Sequence, residues 1–369
     1  MAAESVWARR AFAAWLLTSS GGCRIEHEYR LAAEYSVAPE EARAVRLGAP
    51  AVQVAVGSLH ACAMLVGGEI RCWGDVYRDP DVPEGNRFIG DDEHPFRAKV
   101  MRLGRTARSI AAGGLNSCAL LEDNSVACWG HTFGEVPQQI LSPGSAVALS
   151  MGAHYVCALL PDAGGADCRR ILGKQVRSEG ISFEETIGQI GAGDHAACAL
   201  TLRGDKVVCW LWSAWQEKLH RSSVTLEVPA QELTMGSEHV CVRSDGHAHC
   251  WMVGEDPPRA PTNGLLGGEL ITAVRAGGQK TCVMLGGGGA RCVSAPQERA
   301  VESRDDSVGV RQIRFDRPIF TIASSDDIAC AVLEGGSVRC WGRVMPALGD
   351  PFRFQRTLRQ LRRDLRGKR

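Results

Sequence analysis

Cysteine is the residue type whose number and spacing carry the most chemistry in this sequence. The chain has 369 residues and 15 cysteines. Fourteen of these cysteines fall into seven pairs whose members lie 9 to 11 residues apart. The pairs are Cys62 with Cys72, Cys118 with Cys128, Cys157 with Cys168, Cys198 with Cys209, Cys241 with Cys250, Cys282 with Cys292, and Cys330 with Cys340. Thiols in such a pattern form disulfides, bind a metal, or pack reduced as small apolar groups.

The small variation in spacing is what antiparallel hairpins with different turn lengths produce. If the two cysteines of a pair lie opposite each other, the loops between the strands have two, three or four residues. The two-residue loop is Asp245-Gly246, a strong hairpin signal, and the longer loops are also rich in turn-forming residues. Opposed Cα atoms are about 4.5–5.5 Å apart, within disulfide range. We therefore predict seven hairpins, each with its own disulfide.

Two alternatives to disulfides remain open at this stage. In a reducing compartment the same cysteines would be reduced core residues. Zinc is the weaker alternative, because no C-x-x-C spacing occurs and one hairpin supplies only two thiolates. Seven disulfides would require an oxidising compartment, and their formation would leave Cys23 as the unpaired cysteine.

The N-terminus resembles a bacterial export signal. Arg9 and Arg10 precede a short apolar run at 11–17, and small residues at 18–22 lead to Cys23. We predict a signal peptide over 1–22 and a lipoprotein-type modification at Cys23. The alternative is an N-terminal helix in which Cys23 is buried. Elsewhere the sequence has no run of the roughly 20 apolar residues that span a bilayer.

The hairpins belong to seven repeated units, at 54–73, 110–129, 149–168, 190–210, 233–251, 274–292 and 322–341. Six units begin with an apolar stretch and a Gly, the seventh reads I-A-S-S, and in five units Trp follows the second Cys. Small sheets of this kind cover each other's faces when they stack radially. The predicted fold is an all-β, seven-bladed β-propeller with short N-terminal and C-terminal helical extensions. Its predicted parts are the signal peptide (1–22), a linker or helix (23–50), the propeller (51–352) and a basic tail (353–369).

The repeat resembles a known family. The words V-A-V-G-S-L-H-A-C-A-M-L and I-R-C-W-G in the first unit, with I-A-A-G-G-L-N-S-C-A-L-L-E-D-N-S-V-A-C-W-G in the second, are similar to the regulator-of-chromosome-condensation repeat. The family is also represented by a bacterial β-lactamase-inhibitor propeller. The resemblance implies a seven-bladed propeller, and some relatives are nucleotide-exchange or chromatin-binding proteins. It is specific for the fold and poor for function.

Four further features are candidates for binding. In four units a histidine precedes the first Cys, namely His60, His154, His195 and His239. These histidines form either a metal-binding ring at the axis or packing positions bonded to neighbouring backbone. Trp212 and Trp215 are candidate partner-binding anchors, with core packing as the equal alternative. The acidic segment at 75–93 is a solvated loop or a partner-facing arm. The tail at 353–369, with seven Arg and one Lys, is a solubilising terminus or a basic amphipathic helix.

No catalytic motif appears, and Lys plus Arg equals Asp plus Glu at 42 each. The neutral balance disfavours nucleic acid as a partner. We predict a non-catalytic, extracytoplasmic scaffold, secreted or lipid-anchored, that binds a protein or cell-surface partner without a cofactor or metal. The alternatives are a nucleotide-exchange or chromatin-type regulator and a carbohydrate-directed, lyase-like enzyme.

Overall fold

The structure is a computed structural model that describes residues 36–37, 42–74, 100–161, 165–178, 181, 183–213, 218–254, 269–294 and 311–343. These residues form 27 strands in seven antiparallel sheets, and they contain no helix that could cross a membrane. The all-β prediction is confirmed.

Each sheet is one blade, and in six of the seven its strands follow one another along the chain. Blade one contains β3 (Ala51–Val56), β4 (His60–Leu65) and β5 (Ile70–Gly74). Blade two contains β6 (Ala107–Gly113), β7 (Asn116–Leu121), β8 (Val126–Gly130) and β9 (Gly134–Leu141). Blade three contains β10 (Ala148–Met151), β11 (Tyr155–Leu159), β12 (Ala166–Leu172) and β13 (Gln175–Ser178). Blade four contains β14 (Ile187–Ala192), β15 (Ala196–Thr201), β16 (Lys206–Ser213) and β17 (Lys218–Thr225). Blade five contains β18 (Glu232–Met235), β19 (His239–Ser244) and β20 (His247–Met252). Blade six contains β21 (Ile271–Gly277), β22 (Lys280–Leu285), β23 (Ala290–Ser294) and β24 (Arg311–Ile313). Blade seven contains β25 (Ile319–Ser324), β26 (Ile328–Leu333), β27 (Val338–Arg343) and two N-terminal strands, β1 (Ser36–Val37) and β2 (Arg43–Val45).

The first strand of each blade lines a central channel, which encloses a cavity of about 420 Å³. In six blades this innermost strand is the apolar stretch before the motif Gly. The axis is crowded: a Cβ added at Gly113 would lie 2.3 Å from the carbonyl oxygen of Gly152 in the next blade. Glycine at this motif position therefore allows neighbouring blades to approach each other.

The hairpin register agrees with the prediction in every blade, because the two cysteines of each pair are direct cross-strand partners. The two-residue loop joins Ser244 to His247, with positive φ at Asp245 (47°) and Gly246 (73°). This backbone is the one that favours Asp-Gly in tight hairpins.

The ring is closed by residues that sequence reasoning did not assign to it. Strand β2 pairs with residues 338–340 of β27, and β1 pairs with its last two residues. The described part of the predicted linker or helix at 23–50 is thus extended, and the propeller begins before residue 51. Val45 and Leu47 are buried while Arg46 is exposed, so this segment covers the last blade with an alternating strand pattern. The predicted signal peptide and C-terminal tail lie outside the described residues.

The propeller has two faces, which are named here by their loops. The inner-turn face carries the turns between the first and second strands of each blade, such as 57–59 and 193–195. The hairpin face carries the loops between the two cysteine-bearing strands. Strand β5 ends opposite the start of β4, at the inner-turn face. The acidic segment at 75–93 lies outside the described residues.

Candidate functional site

Fourteen cysteines form seven disulfides, one within each blade. The Cα atoms of each pair are 4.0–4.1 Å apart, slightly closer than the predicted separation. The bonded pairs agree with those expected from the spacing. They are Cys62 with Cys72, Cys118 with Cys128, Cys157 with Cys168, Cys198 with Cys209, Cys241 with Cys250, Cys282 with Cys292, and Cys330 with Cys340. The remaining cysteine, Cys23, lies outside the described residues.

The adjacent Cys and Trp on the second hairpin strand pack into two different interfaces between blades. In β5, Cys72 packs against blade two while the adjacent Trp73 packs against blade seven. This division arises because neighbouring side chains of a strand point to opposite faces of the sheet. The disulfides therefore lie in the interfaces between blades.

Blades three and six lack this Trp, and other residues occupy its position. Arg169 follows Cys168, and its guanidinium forms a two-point ion pair with Asp167, with both N···O distances 3.0 Å. This contact raises the pKa of Arg169. In blade six the residue after Cys292 is Val293, which packs against the core shared with blade five.

His60 and His239 are buried and each bonds a hydroxyl of the next blade. The Nε2 atom of His60 lies 2.7 Å from Ser117 Oγ, and Nε2 of His239 lies 2.8 Å from Thr281 Oγ1. Burial lowers the pKa of both histidines to about 4. Their packing role was anticipated, but the expected backbone partner was wrong, because the partner is a side chain that stacking brings within reach.

The imidazole rings of His60 and His239 explain why the repeat has glycine at its motif position in these two blades. A Cβ added at Gly57 would lie 2.3 Å from Cε1 of His60, and one added at Gly236 would lie 2.1 Å from Cε1 of His239. The repeated Gly and the His therefore form one packing unit.

His154 and His195 occupy a different position and do not complete a ring with the other two. They stand three residues before the first Cys instead of two, and both are exposed on the inner-turn face. Their rings stack with centroids 5.6 Å apart. Burial lowers the pKa of His154, the Asp194 carboxylate opposes this shift, and His195 adds to it. Among the described residues, no group of three or more metal-ligating side chains is brought together.

Trp212 lies half-buried between blades three and four. The Cζ atom of Arg170 is 3.7 Å from the centroid of its ring, and Trp210 and Trp212 both pack against the core shared with blade three. This arrangement agrees with the core-packing alternative for Trp212, although part of the indole stays accessible. Trp215 lies outside the described residues.

Sequence reasoning missed a set of polar side chains that join the inner strands across blades. The Nε2 atom of Gln53 donates to Ile110 O (2.9 Å), and Ile110 N donates to Gln53 Oε1 (3.0 Å). Gln189 likewise accepts from Leu233 N at 2.9 Å. Glu232 accepts from Val274 N at 2.9 Å. The available signal was a polar residue four positions before the motif Gly in an apolar strand.

The family comparison matches the first two blades. Residues 51–75 and 107–132 match the model of the regulator of chromosome condensation (RCC1) repeat. The resemblance seen in the sequence is confirmed for these two segments. The same cysteine-hairpin register recurs in all seven blades. No curated protein matches the sequence significantly.

Solved structures share the propeller at low sequence identity. The chain is similar to the CRINKLY WD40 ectodomain of the receptor kinase ACR4 from Arabidopsis thaliana, with a TM-score of 0.56 and 20% identity over 81% of this chain and 97% of that chain. It is similar to human WBSCR16, with a TM-score of 0.61 and 10% identity over 81% and 88%. It is also similar to Prp20p from Saccharomyces cerevisiae, with a TM-score of 0.54 and 16% identity over 79% and 81%. At these identities the likeness shows the fold.

Proposed function

We propose that this protein is a non-catalytic, exported scaffold that binds a protein partner through its hairpin face. The observation that carries the proposal is the distribution of exposed apolar side chains. Among the described residues ten large hydrophobic side chains are exposed, and seven of them lie on the hairpin face. These seven are Val52, Val66, Val147, Leu202, Val228, Leu270 and Phe320. Apolar side chains gathered on one face are typical of a protein-binding surface.

For two of these residues, Val52 and Phe320, the local cause of exposure is a β-bulge at the start of the inner strand. In five blades the register slips by one residue at the same place, and the extra residue is Val52, Arg108, Gly188, Thr272 or Phe320. A bulge redirects the side chain of the extra residue. Phe320 is 63% exposed as a result. The bulges lie at the hairpin-face ends of the inner strands.

The disulfides and the structural neighbours support an extracytoplasmic location and a protein partner. Seven disulfides require oxidising conditions, which agrees with the export signal and with lipidation at Cys23. One neighbour is described as a receptor-kinase ectodomain. The description of Prp20p names binding to Gsp1p and histones. These comparisons favour a binding scaffold over catalysis.

The test is crosslinking of the purified protein in envelope fractions, comparing the natural chain with the double variant Leu270→Ser, Phe320→Ser. We expect a crosslinked partner with the natural chain and its loss in the variant. The matched control is Val136→Ser, since Val136 is 75% exposed but lies on the outer strand β9. Equal crosslinking by all three proteins would rule out the hairpin face as the binding surface.

A further inference from the structure

A second surface, on the face opposite the hairpin face, combines flat rings with cations. It consists of the inner-turn ends of blades three and four and is called here the basic sector. Its members are His154, Arg170, Lys174, His195, Trp212 and Lys218. His154, Lys174, His195 and Lys218 are exposed, and Arg170 and Trp212 are half-buried.

Backbone hydrogen bonds hold the sector in place. Ile171 N donates to His154 O (2.7 Å), and Trp212 N donates to His195 O (2.9 Å). The neighbouring blade joins it, because the Thr132 hydroxyl donates to Gly173 O at 2.7 Å. The rings and cations are thus presented by a rigid frame, which lowers the entropy cost of binding.

The charges around the sector are unbalanced. Two acids of these blades are engaged in ion pairs: Asp167 on β12 with Arg169, and Glu185 in the loop before β14 with Lys206 and Arg221. Lys174 and Lys218 form no ion pair with another described residue. Asp194 acts electrostatically on the His154 imidazole, and one of its oxygens accepts from Ala153 N at 2.9 Å. The sector therefore offers cations to an anionic ligand.

We propose that the basic sector binds an acidic polysaccharide whose sugar units carry carboxylates. A sugar ring presents an apolar C–H face that packs on the exposed imidazole rings and on the accessible part of the indole, while its carboxylate pairs with ammonium groups. An acidic peptide supplies the carboxylates without the flat apolar faces. Single-stranded nucleic acid would supply both stacking and charge. The choice of a glycan rests on the exported location of the proposed function, which the seven disulfides support.

The test measures binding of polygalacturonate to the full chain at roughly 0.15 M salt, where only close charges contribute. We expect saturable binding that weakens as salt rises, and much weaker binding of fully methyl-esterified polygalacturonate, polyglutamate and a single-stranded oligonucleotide. No binding of polygalacturonate would overturn the proposal. Polyglutamate or the oligonucleotide binding as tightly would also overturn it, because charge alone or nucleobase stacking would then suffice.

Variants locate the site. The double variant Lys174→Gln, Lys218→Gln should weaken binding about tenfold, as expected for the loss of two exposed ion pairs. The matched control Arg203→Gln, Arg317→Gln removes two exposed charges from the hairpin face and should leave binding unchanged. Trp212→Phe should retain binding and Trp212→Leu should lose it. An equal loss in the control pair, or none in the lysine pair, would contradict the assignment, and neither outcome depends on protein binding at the hairpin face.

Discussion

The buried histidines show how a single residue links two blades. His60 bonds Ser117, and Ser117 Oγ also lies 3.4 Å from Cys62 Sγ. The same three-part contact recurs around His239, Thr281 and Cys241. Each hydroxyl therefore belongs to one blade and contacts both the histidine and a disulfide sulfur of the preceding blade.

Replacing the hydroxyl should expose its role in stability. In Ser117→Ala, His60 Nε2 loses its partner in a buried site, which costs about 1–3 kcal/mol of unfolding free energy. Urea unfolding followed by tryptophan fluorescence measures the shift in midpoint. Ser58→Ala, at an exposed turn position, serves as the control, and an equal shift in both variants would argue against the hydrogen bond.

The same histidines should make the fold acid-sensitive. Their pKa falls from 6.5 to about 4 on folding, so the folded state binds fewer protons than the unfolded state. Stability is retained above pH 6.5 and is lost as the pH falls through about 4, by about 3 kcal/mol per histidine. Urea midpoints between pH 7 and pH 4 should fall less steeply in His60→Gln than in the natural chain. Identical slopes would contradict this assignment.

At the scale of elements, the hairpin is the unit that the chain repeats. Its cysteines face the next blade and its Trp faces the previous one, so a single strand contributes to two cores. The disulfides are buried by this stacking. The sulfurs of Cys62, Cys118 and Cys157 belong to residues at most 1% exposed.

Counting thiols tests the pairing directly. In denaturant without reductant we expect at most one free thiol, that of Cys23, and after reduction all 15. Replacing both Cys118 and Cys128 by Ala should lower the unfolding free energy by about 2–3 kcal/mol, since the closed loop is short. Fourteen or more free thiols in protein purified from the envelope without reductant would show that the chain is reduced.

At the scale of the whole molecule, closure of the ring depends on residues distant in sequence. Strands β1 and β2 cover the edge of β27, and Ala51 N donates to Gly336 O at 2.8 Å across the junction of blades one and seven. An uncovered edge strand would be free to pair with another chain.

Weakening this closure should destabilise the whole ring. The double variant Val45→Ser, Leu47→Ser removes two buried side chains that anchor β2 and should cost about 2–4 kcal/mol per site. Arg46→Ser, between them and exposed, is the control. Urea midpoints and gel filtration should show lower stability and self-association for the double variant alone. Matching behaviour of the control would mean that the N-terminal strands do not close the ring.

The sequence by itself determined the repeat, the hairpin register and the disulfide partners. These features are local: the two cysteines of a pair are 9–11 residues apart, and turn chemistry sets which residues face each other. Tertiary structure alone decided which side chains meet between blades. His60 and Ser117 are 57 residues apart, and only radial stacking brings them together. The same holds for the inner-strand contact of Gln53, the cover that β2 gives to β27, and the grouping of rings and cations in the basic sector, because each depends on where a neighbouring blade lies.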